Sequence, residues 1–283
     1  MKCLNFYVGN QVHLGIVEKD KVFDMTANAQ LPQSMEELIR SGSEAFKCIS
    51  EYIRGKSADF TIDNIKYAPA ICNPSKILCV GLNYLEHAEE ACMDLTKIPT
   101  IFSKFTNALA AHEQKIVLPK TAKQYDYEAE LVIVIGKAAR NISKENALDY
   151  VFGYTIGNDL SARDLQLQTT QWLIGKTLDG FAPVGPYIVT ADELNPNDLK
   201  IQCYVNGKLR QNSHTSLMIF DCAAIISYIS QYVELQPGDI IFTGTPSGVI
   251  IGYPKENQVW LTAGDEVMIS IQGIGELTNI MTE

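Results

Sequence analysis

The sequence lacks any run of lysine and arginine. Among its 283 residues, 33 acidic side chains outnumber 23 basic ones, which gives a formal net charge of −10. Nucleic acids and anionic membranes are bound by clustered basic side chains, so we expect neither as a partner and expect a small molecule instead. The chain also lacks a charged-then-apolar leader and any apolar run near the roughly 18 residues of a membrane-spanning helix. We therefore expect a cytoplasmic protein.

Several familiar chemical motifs are absent as well. The seven cysteines are scattered without a Cys-x-x-Cys pair, a pattern typical of reduced, buried thiols and not of disulfides or zinc sites. No Gly-x-Ser-x-Gly, His-Glu-x-x-His or complete Gly-x-Gly-x-x-Gly occurs, so serine hydrolases, zincins and dinucleotide binding have no support. A phosphate loop ending in Gly175-Lys176-Thr177 would need glycine at position 170, which is threonine.

The hydrophobic content of 46% is enough to bury a sizeable core. Residues 1–26 alternate like a β-meander, and two helices follow, the first with a capping box at Ser34 and Glu37. A proline-containing segment at 68–75 suggests a linker. We predict a small N-terminal α/β domain at 1–70 and a catalytic domain at 71–283, with an α+β, β-rich fold.

Two acidic side chains lead into a strand that is predicted to be fully buried. Leu131 to Ile135 are all apolar, and Glu128 and Glu130 share one face of this strand because side chains alternate along it. Buried carboxylates that lie side by side repel each other, and a hard divalent cation such as Mg²⁺ or Mn²⁺ compensates them. The alternative is a strand end at which both glutamates are hydrated.

A further acid ends the glycine-spaced strand at 151–158. Asp159 follows Glu130 by 29 residues, which suits an adjacent strand reached through one crossover helix. Asp159 is then either the third metal ligand or the cap of a helix at 161–168. Further upstream, His87 and Glu90 lie three residues apart on a predicted helix, where a carboxylate can orient an imidazole as a general base. The alternative for this pair is an ordinary exposed helix face.

The order of these motifs resembles the fumarylacetoacetate hydrolase family. The similar blocks span about residues 76–280 and include GLNYLEHAEE (81–90), FSK (102–104), YEAELVIVIG (127–136), GYTIGNDLSARDLQ (153–166), GKTLDGFAPVGP (175–186) and PGDIIFTGTPSGV (237–249). The resemblance implies a mostly β, roll-like catalytic domain that is commonly dimeric. We therefore expect a homodimer.

The resemblance also implies roles for single residues. Mg²⁺ or Mn²⁺ is expected at Glu128, Glu130 and Asp159. The catalytic residues implied by the matching blocks are His87, Glu90 and Lys176, and the substrate-binding residues are Arg163, Gln166 and Thr245. We add Lys104, from the FSK block, to the predicted substrate-binding residues.

These residues lead to a hypothesis about the reaction. The favoured reaction is metal-dependent hydrolysis of a carbon–carbon bond in a small 2,4-dioxo acid of the acylpyruvate type, with Lys176 sharing the substrate charge and His87 activating water. Oxaloacetate decarboxylation and isomerisation or hydration of unsaturated 2-oxo diacids are alternatives. A protein of another class, which binds a ligand and is stabilised by metal without catalysis, is the remaining alternative.

Overall fold

The computed structural model describes residues 1–86 and 97–283. In these ranges strands dominate, in agreement with the predicted α+β, β-rich class. The strands are β1 Lys2–Val8, β2 Gln11–Glu18, β3 Lys21–Asp24, β4 Phe60–Thr61, β5 Lys66–Tyr67, β6 Ile77–Gly81, β7 Thr100–Lys104, β8 Leu109–Ala110, β9 Ile116–Val117, β10 Tyr125–Asp126, β11 Ala129–Ile135, β12 Val151–Asn158, β13 Ser161–Ala162, β14 Ala182–Thr190, β15 Lys200–Val205, β16 Lys208–His214, β17 Ile240–Phe242, β18 Glu266–Ile271 and β19 Gly275–Thr282.

The helices are fewer and mostly short. The α-helices are Met35–Ile53, Arg163–Gln166, Leu173–Lys176 and Cys222–Tyr232. Single turns of 3₁₀ helix and one longer 3₁₀ segment connect strands at Ile62–Asn64, Thr106–Ala108, Lys144–Tyr150, Ala191–Glu193, Thr215–Leu217, Ile250–Gly252 and Lys255–Asn257. None of the helices described is long and apolar enough to cross a membrane.

A large mixed sheet forms the centre of the fold. Its strands follow the order β4-β3-β2-β1-β14-β12-β11-β17-β6-β7, with β5 paired to β1 and β8 to β14. A second sheet has the order β16-β15-β18-β19-β9, and β10 pairs with β13. Most pairs are antiparallel, but β17 pairs with β6, β14 with β8, and β19 with β9, in parallel.

The N-terminal strands extend the same large sheet, since Lys2 and Cys3 of β1 pair with Val189 and Ile188 of β14. The boundary near residue 70 stays a prediction. Half of the predicted capping box is present: Ser34 Oγ accepts from the Glu37 amide at 3.1 Å, whereas Glu37 Oε2 accepts from the Gln33 amide at 2.7 Å, one residue before the N-cap. The two predicted helices are present within Met35–Ile53, where the backbone leaves helical geometry at Gly42 and separates them.

Strand β11 is covered on both faces, as its continuous apolar sequence predicts. Val132 and Val134 pack in the core that includes the Met35–Ile53 helix, and Leu131 and Ile133 pack in the core beneath the second sheet and the Cys222–Tyr232 helix. All four are fully buried. Because this central strand is packed on both faces, it holds the side chains at its beginning in fixed positions.

The strand that precedes Asp159 lies beside β11, as predicted, but the predicted crossover helix is wrong. β12 runs antiparallel to β11, with Glu130 opposite Gly157. An antiparallel neighbour needs no crossover, and the connection contains only the 3₁₀ segment Lys144–Tyr150. The pairing places the beginning of β11 beside the end of β12.

Candidate metal and substrate site

Three carboxylates converge where β11 begins and β12 ends. One oxygen from each of Glu128, Glu130 and Asp159 lies within 4.8 Å of the others. All three side chains are buried, and Asp159 has no exposed surface. The register of the two strands brings them together, since the residues next to the acids, Ala129 and Asn158, are direct partners.

Hydrogen bonds from three segments hold these acids in place. The Glu128 amide donates to Asn158 Oδ1 at 3.0 Å, and the Asp159 amide donates to the Glu128 carbonyl at 3.0 Å. The Gly244 amide donates to Glu130 Oε2 at 2.6 Å. Gly244 has a φ of +96°, in the region that favours glycine, so its backbone can direct this amide at the carboxylate. Asp159 caps no helix, since the Arg163–Gln166 helix has no side-chain cap.

Lys176 is the cation that faces the three acids. Its Nζ lies 2.7 Å from Glu128 Oε2 and 3.1 Å from Asp159 Oδ2. Burial by itself would lower the pKa of Lys176, but the charges of Asp159 and Glu128 outweigh it and raise the pKa. The ammonium group therefore stays protonated at neutral pH. It also lies 5.2 Å from the centre of the Phe102 ring.

Lys104 lies behind Asp159 and not on the wall of the cavity. Its Nζ is 2.6 Å from Asp159 Oδ1 and donates to the carbonyls of Leu160 at 3.1 Å, Phe181 at 2.6 Å and Lys176. Its side chain has no exposed surface. This position suits a residue that holds Asp159, and it does not suit the substrate contact that the sequence suggested.

Arg163 joins the acid cluster to a carboxylate that the sequence prediction missed. Its Nη2 lies 2.7 Å from Glu128 Oε1 and 2.9 Å from Asp126 Oδ2, and its Nη1 donates to Gln166 Oε1 at 2.9 Å. Although burial opposes its charge, Asp126 and Glu128 raise the pKa of Arg163. Asp126, Glu128 and Glu130 occupy every second position of the sequence, and that alternation could have identified Asp126.

Thr245 lines the cavity, and its side chain is held by Gln211, which the sequence prediction missed. Gln211 Nε2 donates to Thr245 Oγ1 and to the Pro246 carbonyl, both at 2.8 Å, while its Oε1 accepts from the Ala129 amide at 3.0 Å. Gln211 is fully buried. It therefore joins the turn after β17 to the strand that carries the acids. No local sequence signal distinguishes this glutamine from an exposed one.

A cavity of about 440 Å³ opens above the acids, within the range of roughly 300–1,000 Å³ typical of small-molecule sites. Its buried end carries the predicted residues Glu128, Glu130, Arg163, Gln166, Lys176 and Thr245. The remaining wall consists of Val80, Gly81, Leu82, Phe102, Gln124, Leu167, Trp172, Ile251, Lys255, Gln258 and Trp260. Both tryptophans of the sequence thus line one cavity.

His87 and Glu90 lie outside the described residues, and their roles stay predictions. The described residues just before this range lie near the cavity. Leu82 is part of the cavity wall, and Ser247 Oγ donates to Glu86 Oε2 at 2.9 Å.

The donor set fits a divalent cation. Among the described residues, four carboxylates (Asp126, Glu128, Glu130 and Asp159) meet three cationic side chains (Lys104, Arg163 and Lys176), so the cluster has one negative charge in excess when every group is ionised. Burial and the charges of Asp159 and Glu128 hold the pKa of Glu130 well above its usual range. Clustered carboxylate oxygens are the ligands that Mg²⁺ and Mn²⁺ prefer. A cation bound here would relieve the repulsion and the excess charge together.

Comparison with known proteins identifies related chains. The family described as "Fumarylacetoacetate (FAA) hydrolase C-terminal" matches residues 76–282. A fumarylacetoacetate hydrolase domain-containing protein 2 homolog from Dictyostelium discoideum is 43% identical, over 96% of this chain and 93% of its own length. The mitochondrial oxaloacetate tautomerase fahd2 from Xenopus laevis is 39% identical over 95% of this chain and 85% of its own length.

A solved structure shares the fold over the whole chain. It is the maleylpyruvate hydrolase from Sphingobium sp. SYK-6, in complex with manganese(II) ion and pyruvate, with a TM-score of 0.84, 29% identity and complete coverage of both chains. The expected fold is therefore confirmed.

Proposed function

Because this chain belongs to the fumarylacetoacetate hydrolase family, we propose that it is a divalent-cation-dependent enzyme that interconverts the keto and enol forms of oxaloacetate or a similar 2-oxo dicarboxylate. The observation that carries the proposal is the buried group of Glu128, Glu130 and Asp159, with Lys176 beside them at the closed end of a cavity. The similarity to an oxaloacetate tautomerase over 95% of the chain supports this choice of reaction.

The reaction moves one proton from C3 of the substrate to its 2-oxo oxygen and consumes no water. Glu128, Glu130 and Asp159 would hold the cation, which supplies a Lewis acid that stabilises negative charge on that oxygen. The ammonium group of Lys176 would share this charge, because it lies beside Glu128 and Asp159 at the buried end of the cavity. His87, oriented by Glu90, is the proposed base that removes the proton from C3.

Other side chains orient the substrate and exclude water. Arg163 and Gln166 present N–H and amide groups on the wall next to Glu128, and their mutual hydrogen bond fixes both side chains. Phe102 and Trp172 meet edge to face at 5.4 Å between ring centroids and form an apolar part of the same wall. This combination suits a small acid whose charged end is bound deep in the cavity.

Hydrolysis of a carbon–carbon bond is the second candidate, and it is the reaction that the sequence favoured. The similarity of the whole chain to a maleylpyruvate hydrolase supports it. Both reactions need the same stabilised enolate, but hydrolysis also needs an activated water molecule. The products therefore distinguish them: tautomerisation leaves the carbon skeleton intact, whereas hydrolysis releases two acids.

The test uses the purified chain, stripped with chelator and reloaded with Mg²⁺ or Mn²⁺. We expect the metal-loaded protein to accelerate the loss of enol-oxaloacetate absorbance without releasing pyruvate, and the chelated protein and Glu130→Gln to give only the uncatalysed rate. Acetylpyruvate and maleylpyruvate are incubated in parallel and their products separated by chromatography. Cleavage of these acids without tautomerisation of oxaloacetate would establish the hydrolase instead, and no metal-dependent turnover of any of them would refute both proposals.

The homodimer and the cytoplasmic location stay proposals. Sedimentation velocity tests the first, where a single species at the monomer mass would contradict it. Imaging of the tagged full-length protein tests the second, since the relative from Xenopus laevis is named as mitochondrial.

A further inference from the structure

One segment of the chain contributes several residues to the exposed part of the cavity wall, which we call the mouth of the cavity. Residues 250–258 contribute Ile251, Lys255 and Gln258 to the wall. Lys255 is exposed, whereas the acids at the other end are buried. The cavity therefore leads from a buried polar end to a lysine at its opening.

This segment is anchored although part of it is exposed. The amides of Ile250 and Ile251 donate to the two carboxylate oxygens of Asp126, at 2.8 and 3.1 Å. Gln258 Nε2 donates to the carbonyls of Ile251 at 3.0 Å and Tyr253 at 2.9 Å, which closes the segment on itself. Since Asp126 also binds Arg163, one buried carboxylate positions both the mouth of the cavity and a side chain of its inner wall.

Lys255 differs from the other cations of the cavity wall in its electrostatic partners. Arg163 and Lys176 are both ion-paired to buried carboxylates. Within the described ranges, Lys255 forms no ion pair. Its charge is therefore available to an anion in the cavity.

The net charge of the site indicates which kind of anion Lys255 would bind. With all four acids ionised, the described buried side chains carry one excess negative charge, and a bound divalent cation turns this into one excess positive charge. A 2-oxo monocarboxylate neutralises that charge alone. A 2-oxo dicarboxylate brings a second negative charge, for which the described residues of the buried end offer no further cation.

We propose that Lys255 binds the distal carboxylate of the substrate and makes the enzyme select 2-oxo dicarboxylates over 2-oxo monocarboxylates. This inference rests on the proposed function, because it assumes that the 2-oxo acid end lies at Glu128, Glu130 and Asp159. The segment 250–258 fixes the backbone of Lys255, and its flexible side chain reaches the second carboxylate. The selectivity is electrostatic, so rising ionic strength weakens it.

The test compares oxaloacetate with pyruvate, which lacks only the second carboxylate. The Mn²⁺-loaded wild type, Lys255→Gln, Lys255→Arg and Lys47→Gln are assayed. Lys47 is an exposed lysine of the Met35–Ile53 helix and does not line the cavity, so it controls for loss of a surface charge. Tryptophan fluorescence reports binding directly, since both tryptophans line the cavity.

We expect Lys255→Gln to raise the KM and the Kd of oxaloacetate about fivefold, because Lys255 is exposed and an exposed ion pair contributes about 1 kcal/mol. The kcat and the Kd of pyruvate should change less than about twofold on the same grounds. Lys255→Arg should keep the preference for oxaloacetate, Lys47→Gln should match the wild type, and added salt should weaken oxaloacetate more than pyruvate.

Three results would overturn the inference: equal weakening of both ligands by Lys255→Gln, no weakening of either, or a wild type that binds neither ligand. Failure of the proposed reaction gives a different result. If oxaloacetate is not turned over but its binding still depends on Lys255 while that of pyruvate does not, the tautomerase proposal is wrong and the role of Lys255 stands.

Discussion

Replacement of Lys104 by methionine should destabilise the protein by about 3–5 kcal/mol, the range measured when one partner of a buried ion pair is removed. Lys104 and Asp159 have no exposed side-chain surface and lie 2.6 Å apart. The substitution keeps the aliphatic part of the side chain but leaves the carboxylate of Asp159 with one cation fewer. It also removes the donor to the carbonyls of Leu160 and Phe181.

The assay is reversible denaturation in urea, with chelator and with saturating Mn²⁺. A double-mutant cycle with Asp159→Asn isolates the pair, and we expect a coupling energy of roughly 1–3 kcal/mol, as for residues in direct contact. Lys76→Met is the matched control. Lys76 pairs with the buried Asp239 at 2.8 Å, but its own side chain is 25% exposed, and such a pair contributes about 1 kcal/mol or less.

The two possible roles of Lys104 give opposite results. A residue that holds Asp159 affects stability and cation binding, whereas a residue that binds substrate affects KM and leaves stability nearly unchanged. A loss below about 1 kcal/mol, similar to that of an exposed pair, together with a raised KM for oxaloacetate, would refute the reasoning from the structure and restore the role that the sequence suggested.

Three further outcomes follow from single positions. Burial lowers the pKa of His112, whose Nδ1 accepts a backbone N–H at 3.0 Å, so the folded state binds fewer protons than the unfolded state. Urea denaturation should therefore show that the free energy of unfolding falls as pH drops through 6.5. His112→Gln should flatten this pH dependence, and an unchanged slope would contradict the prediction. A Cβ at Gly81 would lie 2.6 Å from Trp172, so Gly81→Ala should shift the tryptophan emission and cost about 1–3 kcal/mol; an unaltered spectrum would speak against this packing. Gly244→Ala should weaken Mn²⁺ binding measured by calorimetry, because a φ of +96° strains alanine and displaces the amide bound to Glu130; wild-type affinity would show that this amide is dispensable.

Part of the site could be predicted from the sequence because it depends on residues that lie close together along the chain. The alternation of Glu128 and Glu130 before five apolar residues identified both the buried strand and the face that the two acids share. The order of the sequence blocks identified the family and, through it, Asp159, Arg163 and Lys176. The structure places all of these residues in one cluster.

Other parts depend on contacts between distant segments. The sequence predicted a crossover before Asp159, because the length of a connection does not distinguish parallel from antiparallel neighbours. The surroundings of Lys104 could not be predicted for a similar reason: a lysine that binds buried carbonyls and one that faces a cavity have the same local sequence. Gln211 ends the block VNGKLRQ (205–211), which also resembles the family, but nothing in that block shows that its side chain joins two distant segments.

The sequence by itself determined the class of fold, the family and the residue types of the site, since periodicity and motif order are properties of the chain alone. Only the tertiary structure decided which side chains meet. It did so through strand register, which sets Ala129 opposite Asn158. It also did so through Asp126, whose carboxylate binds both Arg163 and the amide of Ile250 at the cavity mouth, 124 residues from Asp126 in sequence. Such contacts form only when the chain packs, because each depends on the positions of several segments at once.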